Sequence, residues 1–413
     1  MMYGYMAKLS LPPLSSFLPR GSNFKLLVLL AAGSLTTMTG AVFTPVLGEI
    51  KQQLHLEPRI VGYLGGVHSW TLALFSLPLG ILADRVSRLK VLVASLFLFG
   101  LFGIAGAFSN SFLPLFITRG LMGAASGGIA ASCLGILGSM YEGQARSQAL
   151  GYATGTLTLA GIVFPILGGL IGKIHWQYTF YLYAVALPLA VLVALTLRQQ
   201  PSSKTPAKTE EPNYKLRHVL GRYQTLLLLL TLSLTSVIMY SVAIYGPLYF
   251  KATLNANTLL NGIILASRAL GAAIVSAFGA RRLSQALGLP KAIAIGFGLM
   301  AVTLAIIPLI REISWILFTA VLFGAGFGIV LPSLYDALAG LAPAKLRASI
   351  LSAGTGAGFL GQSLCPILLG FVLYNSRLEV VFYTAASLSA IAATVLLLFG
   401  NKLAMDIERS SQG

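Results

Sequence analysis

Apolar runs long enough to cross a bilayer recur twelve times along this chain, at approximately 24–47, 59–82, 90–110, 113–139, 147–172, 176–197, 223–250, 257–280, 288–310, 313–338, 347–374 and 379–400. A spanning helix needs about 20 apolar residues. Inside lipid no water is present to satisfy backbone groups, so such runs must fold as helices that bond internally. Composition agrees, with 56% of residues hydrophobic and 9% charged, where soluble domains carry roughly 25% charged. The fold class is therefore all-α integral membrane. Cys133 and Cys365 fall inside expected helices without CxxC spacing and read as packing residues. The segment before Phe24 holds Pro12, Pro13 and Pro19, and lacks the apolar core and cleavage pattern of a signal peptide. It reads as a cytoplasmic tail.

A net charge of +17 would suggest nucleic acid as a partner for a soluble protein. In a polytopic chain the placement of Lys and Arg sets orientation instead. Twenty of the 28 fall on the side that both termini would share, six on the opposite side, and two, Arg119 and Arg268, within helices. Both termini are thus expected in the cytoplasm, with the chain in the cell (inner) membrane and the lipid bilayer, not nucleic acid, as its surroundings.

The longest polar interruption, Arg198 to Arg222, contains Pro201, Ser202, Ser203, Pro206, Glu210, Glu211 and Pro212 and divides the helices six and six. A shift of 201 residues superposes the two halves, pairing Arg146 with Arg347, Leu150 with Leu351, Thr154 with Thr355, Gly155 with Gly356, Pro165 with Pro366 and Gly169 with Gly370. The same shift pairs Gly123 with Gly324 and Gly127 with Gly328. Six helices per half preserve orientation, so the repeat is parallel. The expected organisation is a tail at 1–23, bundles at 24–198 and 223–400, a cytoplasmic linker at 199–222, and a C-terminal tail at 401–413.

Between the second and third spans lie Gly80, Leu82, Asp84, Arg85 and Arg88. Together with the two-bundle repeat, this loop resembles the signature of the major facilitator superfamily, with Ser87 and Leu89 in place of a glycine and a basic residue. The resemblance covers nearly the whole chain and implies two bundles that rock about a central substrate cavity. It further implies a cytoplasmic latch of Gly80, Asp84, Arg85, Arg88, Glu142, Arg146 and Arg347, in which the aspartate lies near the start of the eleventh helix. The fifth span carries Gly161, Pro165, Gly168 and Gly169, a partial match to the exporter and antiporter signature, with Ala160 and Phe164 replacing glycines. Glycines let helices approach closely and a mid-helix proline favours a bend, so this segment suits a hinge between the bundles.

Ionisable groups at membrane depth are functional candidates, and the sequence offers four: His68, Arg119, Arg268 and Asp336. Arg119 precedes Gly120 and Gly123 in a stretch similar to the family's proton-coupling pattern, with Met122 where glutamine is usual. The first span supplies Thr36, Thr37, Thr39 and Thr44 but no carboxylate, so protonation falls to His68, Asp336 or the substrate itself. Two arginines against at most one acid make an electropositive cavity, which favours an anionic or amphiphilic acidic substrate. Tyr240, Tyr245, Tyr249 and Trp70 could add aromatic and hydroxyl surface.

No phosphate loop, HExxH spacing or nucleophile elbow is present, so an enzyme is not expected, nor a cofactor or metal. The reading is a monomeric secondary transporter, proton-coupled and exporting a small amphiphilic or anionic organic compound. The alternative is a facilitator or importer of a neutral or anionic metabolite.

Overall fold

The computed structural model describes residues 20–141, 143–197, 218–341, 346–374 and 376–412. Twelve helices in it are long and apolar enough to span a membrane: α1 Phe24–Gln53, α2 Pro58–Arg85, α3 Arg88–Phe108, α4 Phe112–Met140, α5 Gln144–Gly172, α6 Trp176–Thr196, α7 Tyr223–Leu254, α8 Thr258–Phe278, α9 Leu289–Leu309, α10 Ile313–Gly340, α11 Ser349–Leu373 and α12 Leu378–Leu398. They form two six-helix bundles. Most of the linker expected between α6 and α7, residues 198–217, lies outside the described residues.

The repeat read from sequence has a packing cause. A methyl added at Gly123 or Gly127 of α4 would press on the backbone of α2 at His68 and Leu72, and one added at Gly324 or Gly328 of α10 would press on the backbone of α8 at Arg268 and Ala272. The paired glycines thus do the same work in each half, letting one helix backbone lie directly on another.

The first span extends further than its sequence pattern suggests. Its α-helix stops at Ala41, a 3-10 turn over Thr44–Val46 takes in Pro45, and a last helical piece runs Leu47–Gln53. Glu49 therefore belongs to this span, and the expectation that the first helix carries no carboxylate is corrected. Proline is tolerated early in a helical turn, where its missing N–H has no partner to lose, so Pro45 redirects the chain without ending it.

The bundles meet on one face of the molecule and part on the other. On the face bearing Glu49, Thr258 Oγ1 of α8 donates to the Gly169 carbonyl of α5 at 2.8 Å, and Asn261 Nδ2 donates to the Pro45 carbonyl at 3.3 Å. Methyls added at Gly62, Gly65 or Gly66 of α2 would strike Tyr245, Ile244 or Pro366 of the other bundle. Towards the face bearing Asp84, α2 presents uncovered side chains such as Leu77, 71% exposed. There, methyls at Gly151, Gly155 and Gly356 would meet nothing within 4 Å. The Trp70 Nε1 bond to the Ser363 carbonyl, 2.9 Å, and Ser69 Oγ to Gln362 Oε1, 3.1 Å, mark the level where the seam begins to open. The structure is closed at Glu49 and open at Asp84.

Candidate functional site

The centre of the molecule is organised by the break in α1. Where the helix ends, the Phe43 N–H turns to the Gly40 carbonyl, and the Thr39 carbonyl is left without its usual intrahelical donor. Arg119 Nη1 of α4 fills that role at 2.6 Å, joined by the Tyr183 hydroxyl of α6, which donates to the same carbonyl at 3.2 Å. The Arg119 guanidinium lies 4.0 Å over the Phe43 ring and is 1% exposed. Phe99 of α3 meets Tyr183 edge-on, with ring centroids 5.6 Å apart, and holds it in place. A helix C-terminus carries partial negative charge and an aromatic face attracts cations. Arg119 is therefore stabilised without a carboxylate and is sealed from any open cavity in this conformation.

His68 links this cluster to the second bundle. Its Nδ1 lies 3.2 Å from Arg119 Nη2 and its Nε2 lies 3.2 Å from the Tyr240 hydroxyl of α7. A guanidinium only donates, so Nδ1 must accept and the proton of the neutral ring must sit on Nε2, directed at Tyr240. Tyr240 then donates to the Gly65 carbonyl at 3.3 Å. The hydrogen bonds run in one direction, Arg119 to His68 to Tyr240 to Gly65. A second proton on His68 would set N–H against N–H and break the Arg119 contact.

Arg268 differs from Arg119. Its Nη1 makes one long bond, to the Met239 carbonyl at 3.5 Å, where Arg119 makes several, and no carboxylate pairs with it among the described residues; the buried Nε of each arginine has no hydrogen-bond partner. It is half-buried on α8, beside the residue that precedes Tyr240.

The other candidates lie apart. The Tyr245 hydroxyl is buried and unpartnered against Gly62, in the closed seam. Tyr249 bonds the Pro308 carbonyl within its own bundle. Asp336 is exposed towards the open face. In α5, Pro165 and Gly169 lie against Gly262 and Thr258 of α8, Gly168 lies against Val42, and Gly161 is 3.9 Å from the Ala269 side chain as measured from an added methyl.

The loop at Asp84 stays within one bundle. Arg88 Nε and Nη2 each lie 2.8 Å from Asp84 Oδ1, and Arg88 Nη1 donates to the Gly135 carbonyl of α4 at 2.7 Å. Arg146 flanks Gly138, while Arg85 and Arg347 are exposed. Glu142 lies outside the described residues. Asp84 therefore pairs with Arg88, not with the start of the α11 helix, because the bundles are separated on this face.

One pair escaped the sequence reading altogether: Lys251 Nζ of α7 and Glu49 Oε1 of α1, 2.6 Å apart across the bundle interface. The apolar residues Val46, Leu47 and Ile50 after Pro45 were the available signal.

Two six-helix bundles, closed on one membrane face and open on the other about a buried polar joint, define a membrane transporter. The chain belongs to the Major Facilitator Superfamily, whose family model matches residues 29–353 and again 251–411. It is 25% identical over 360 residues to the class B tetracycline resistance protein of Escherichia coli, covering 84% of this chain and 87% of that one. It is likewise 25% identical to the multidrug efflux protein YfmO of Bacillus subtilis, covering 87% and 88% respectively. Its fold matches a bacterial homolog of the human lysosomal transporter Spinster, solved inward-facing and unoccupied, with a TM-score of 0.74 at 16% identity over 96% of this chain and 98% of that one.

Proposed function

We propose that this transporter exports a small anionic or amphiphilic organic compound in exchange for protons, by alternating access. Arg268 carries the reading. A half-buried arginine with one long bond, a buried and unpartnered Nε and no carboxylate is an unfilled site for an anion, since a charge withdrawn from water is costly until paired. The efflux proteins to which the chain is similar favour export over import.

His68 is the proton carrier in this reading. It faces Arg119, Tyr240 and Ser69 and sits where the bundles join. Opening of the Glu49 face would separate it from Tyr240 and admit a proton. The protonated ring repels Arg119, which favours the rearrangement that follows. The Asp84 face is assigned to the cytoplasm, with both termini and the linker, on the asymmetry of Lys and Arg. The conformation described is then inward-open. The Asp84 loop acts in the opposite state as the latch, and Gly161, Pro165, Gly168 and Gly169 of α5 form the hinge against α8. The working unit is a monomer in the cell membrane. Expression in efflux-deficient cells challenged with acidic, neutral and cationic compounds tests the reading: protection confined to acidic amphiphiles supports it, and protection confined to permanent cations refutes the substrate assignment.

A further inference from the structure

We propose that Glu49 and Lys251 form a gate pair that sets the balance between the two transport states, an inference that rests on the alternating-access reading. Theirs is the one ion pair between the bundles among the described residues; the other two ion pairs join Arg59 to Glu57 and Arg88 to Asp84 within their own bundle. The Lys251 and Glu49 side chains are 14% and 24% exposed, so the charges are largely withdrawn from water while the bundles touch. Gly48 makes the approach feasible, because a methyl there would lie 2.8 Å from Lys251 Cβ and 3.1 Å from the Pro247 carbonyl. The Asn261 bond to Pro45, four residues before Glu49, ties the same segment of α1 to α8.

The physical consequence is an asymmetry between states. With the face closed, each charge depends on the other for its neutralisation. With the face open, both return to water and neither needs a partner. Removing one member therefore leaves an unpaired, desolvated charge in the closed state alone and tilts the balance towards opening at Glu49. Exchanging the two charges preserves the pair and should leave the balance nearly unchanged.

The test uses the full chain in detergent with Cys133→Ser and Cys365→Ser, and a reporter Ile244→Cys. Ile244 is fully buried against Gly65 in the closed seam. Maleimide labelling of the reporter should accelerate roughly three- to tenfold in Glu49→Gln and in Lys251→Met, and return to within about twofold of the starting rate in Glu49→Lys/Lys251→Glu. Unchanged rates in both single variants, or a charge-exchanged protein that labels as fast as they do, would overturn the proposal. Monodispersity in gel filtration identifies folded protein; if one single variant does not fold, the other decides, since faster labelling than the parent is expected when either member is removed and a parental rate would overturn the proposal. Labelling needs no substrate, so failure here is distinguishable from failure of the transport reading, which flux measures separately.

Discussion

The Tyr240 hydroxyl lies 3.2 Å from His68 Nε2, and through that contact α7 of the second bundle touches the arginine cluster of the first. The bond joins residues 172 positions apart. It is made at the level where the closed seam gives way to the open one, so any movement between the bundles must stretch or break it.

A neutral imidazole is required for the full chain of hydrogen bonds, and the Arg119 contact is lost as pH falls and the ring takes a second proton. Transport should therefore vary with pH over a range set by His68. His68→Gln can accept from Arg119 and donate to Tyr240 but cannot titrate in this range. Its flux should persist at a reduced level with a flattened pH profile, and His68→Ala should shift the profile while also weakening the joint. A His68→Gln profile superposable on the parent's would remove His68 as the carrier.

Asp84→Asn removes the charge that holds Arg88 against the Gly135 carbonyl. The ion pair is exposed and contributes on the order of 0–1 kcal/mol to the fold, so yield and melting temperature should hardly change. If the loop acts in the opposite state as proposed, flux normalised to folded protein should fall by about tenfold or more. Equal flux would take the loop out of the transport cycle.

Gly155 of α5 and Gly356 of α11 occupy equivalent places in the two halves, and an added methyl at either meets nothing within 4 Å. Leucine at either position should be tolerated in the state that is open at Asp84. Once the bundles close on the Asp84 face, α5 should meet α8 and α11 should meet α2 along these surfaces, as they already do on the Glu49 face, and the added bulk should hold the bundles apart. Each Gly→Leu variant is expected to fold normally, label slowly at Ile244→Cys and transport little; parental flux in both would mean that these helix faces never meet.

Twelve helices, the six-and-six division and the parallel repeat were legible because lipid imposes one solution on any long apolar run, and because helix-on-helix contact admits only glycine at positions such as Gly123 and Gly324. The site was legible in part. His68, Arg119, Arg268 and Tyr240 stand out as polar groups in apolar helices, yet their arrangement depends on contacts between helices far apart in sequence. Nothing in the neighbourhood of Arg119 tells that the freed Thr39 carbonyl and the Phe43 ring take the place of a carboxylate. The extension of α1 to Glu49 was obscured by Pro45, which normally marks an end. The Asp84 pair with Arg88 is a contact within one bundle, and the loop signature alone does not tell it from a contact with α11.

Arg268 carries the central claim, and reconstitution into proteoliposomes with a pH-sensitive dye and an acidic amphiphile tests it most directly. The parent protein should move the anion with a coupled proton flux. Arg268→Gln should lose roughly 10- to 100-fold in anion transport, the range expected for a charge-assisted hydrogen bond at about 1.5–3 kcal/mol. Arg268→Lys should retain part of the activity, because the charge survives while the planar fork does not. Undiminished anion transport in Arg268→Gln, or a parent protein that prefers permanent cations, would contradict the account.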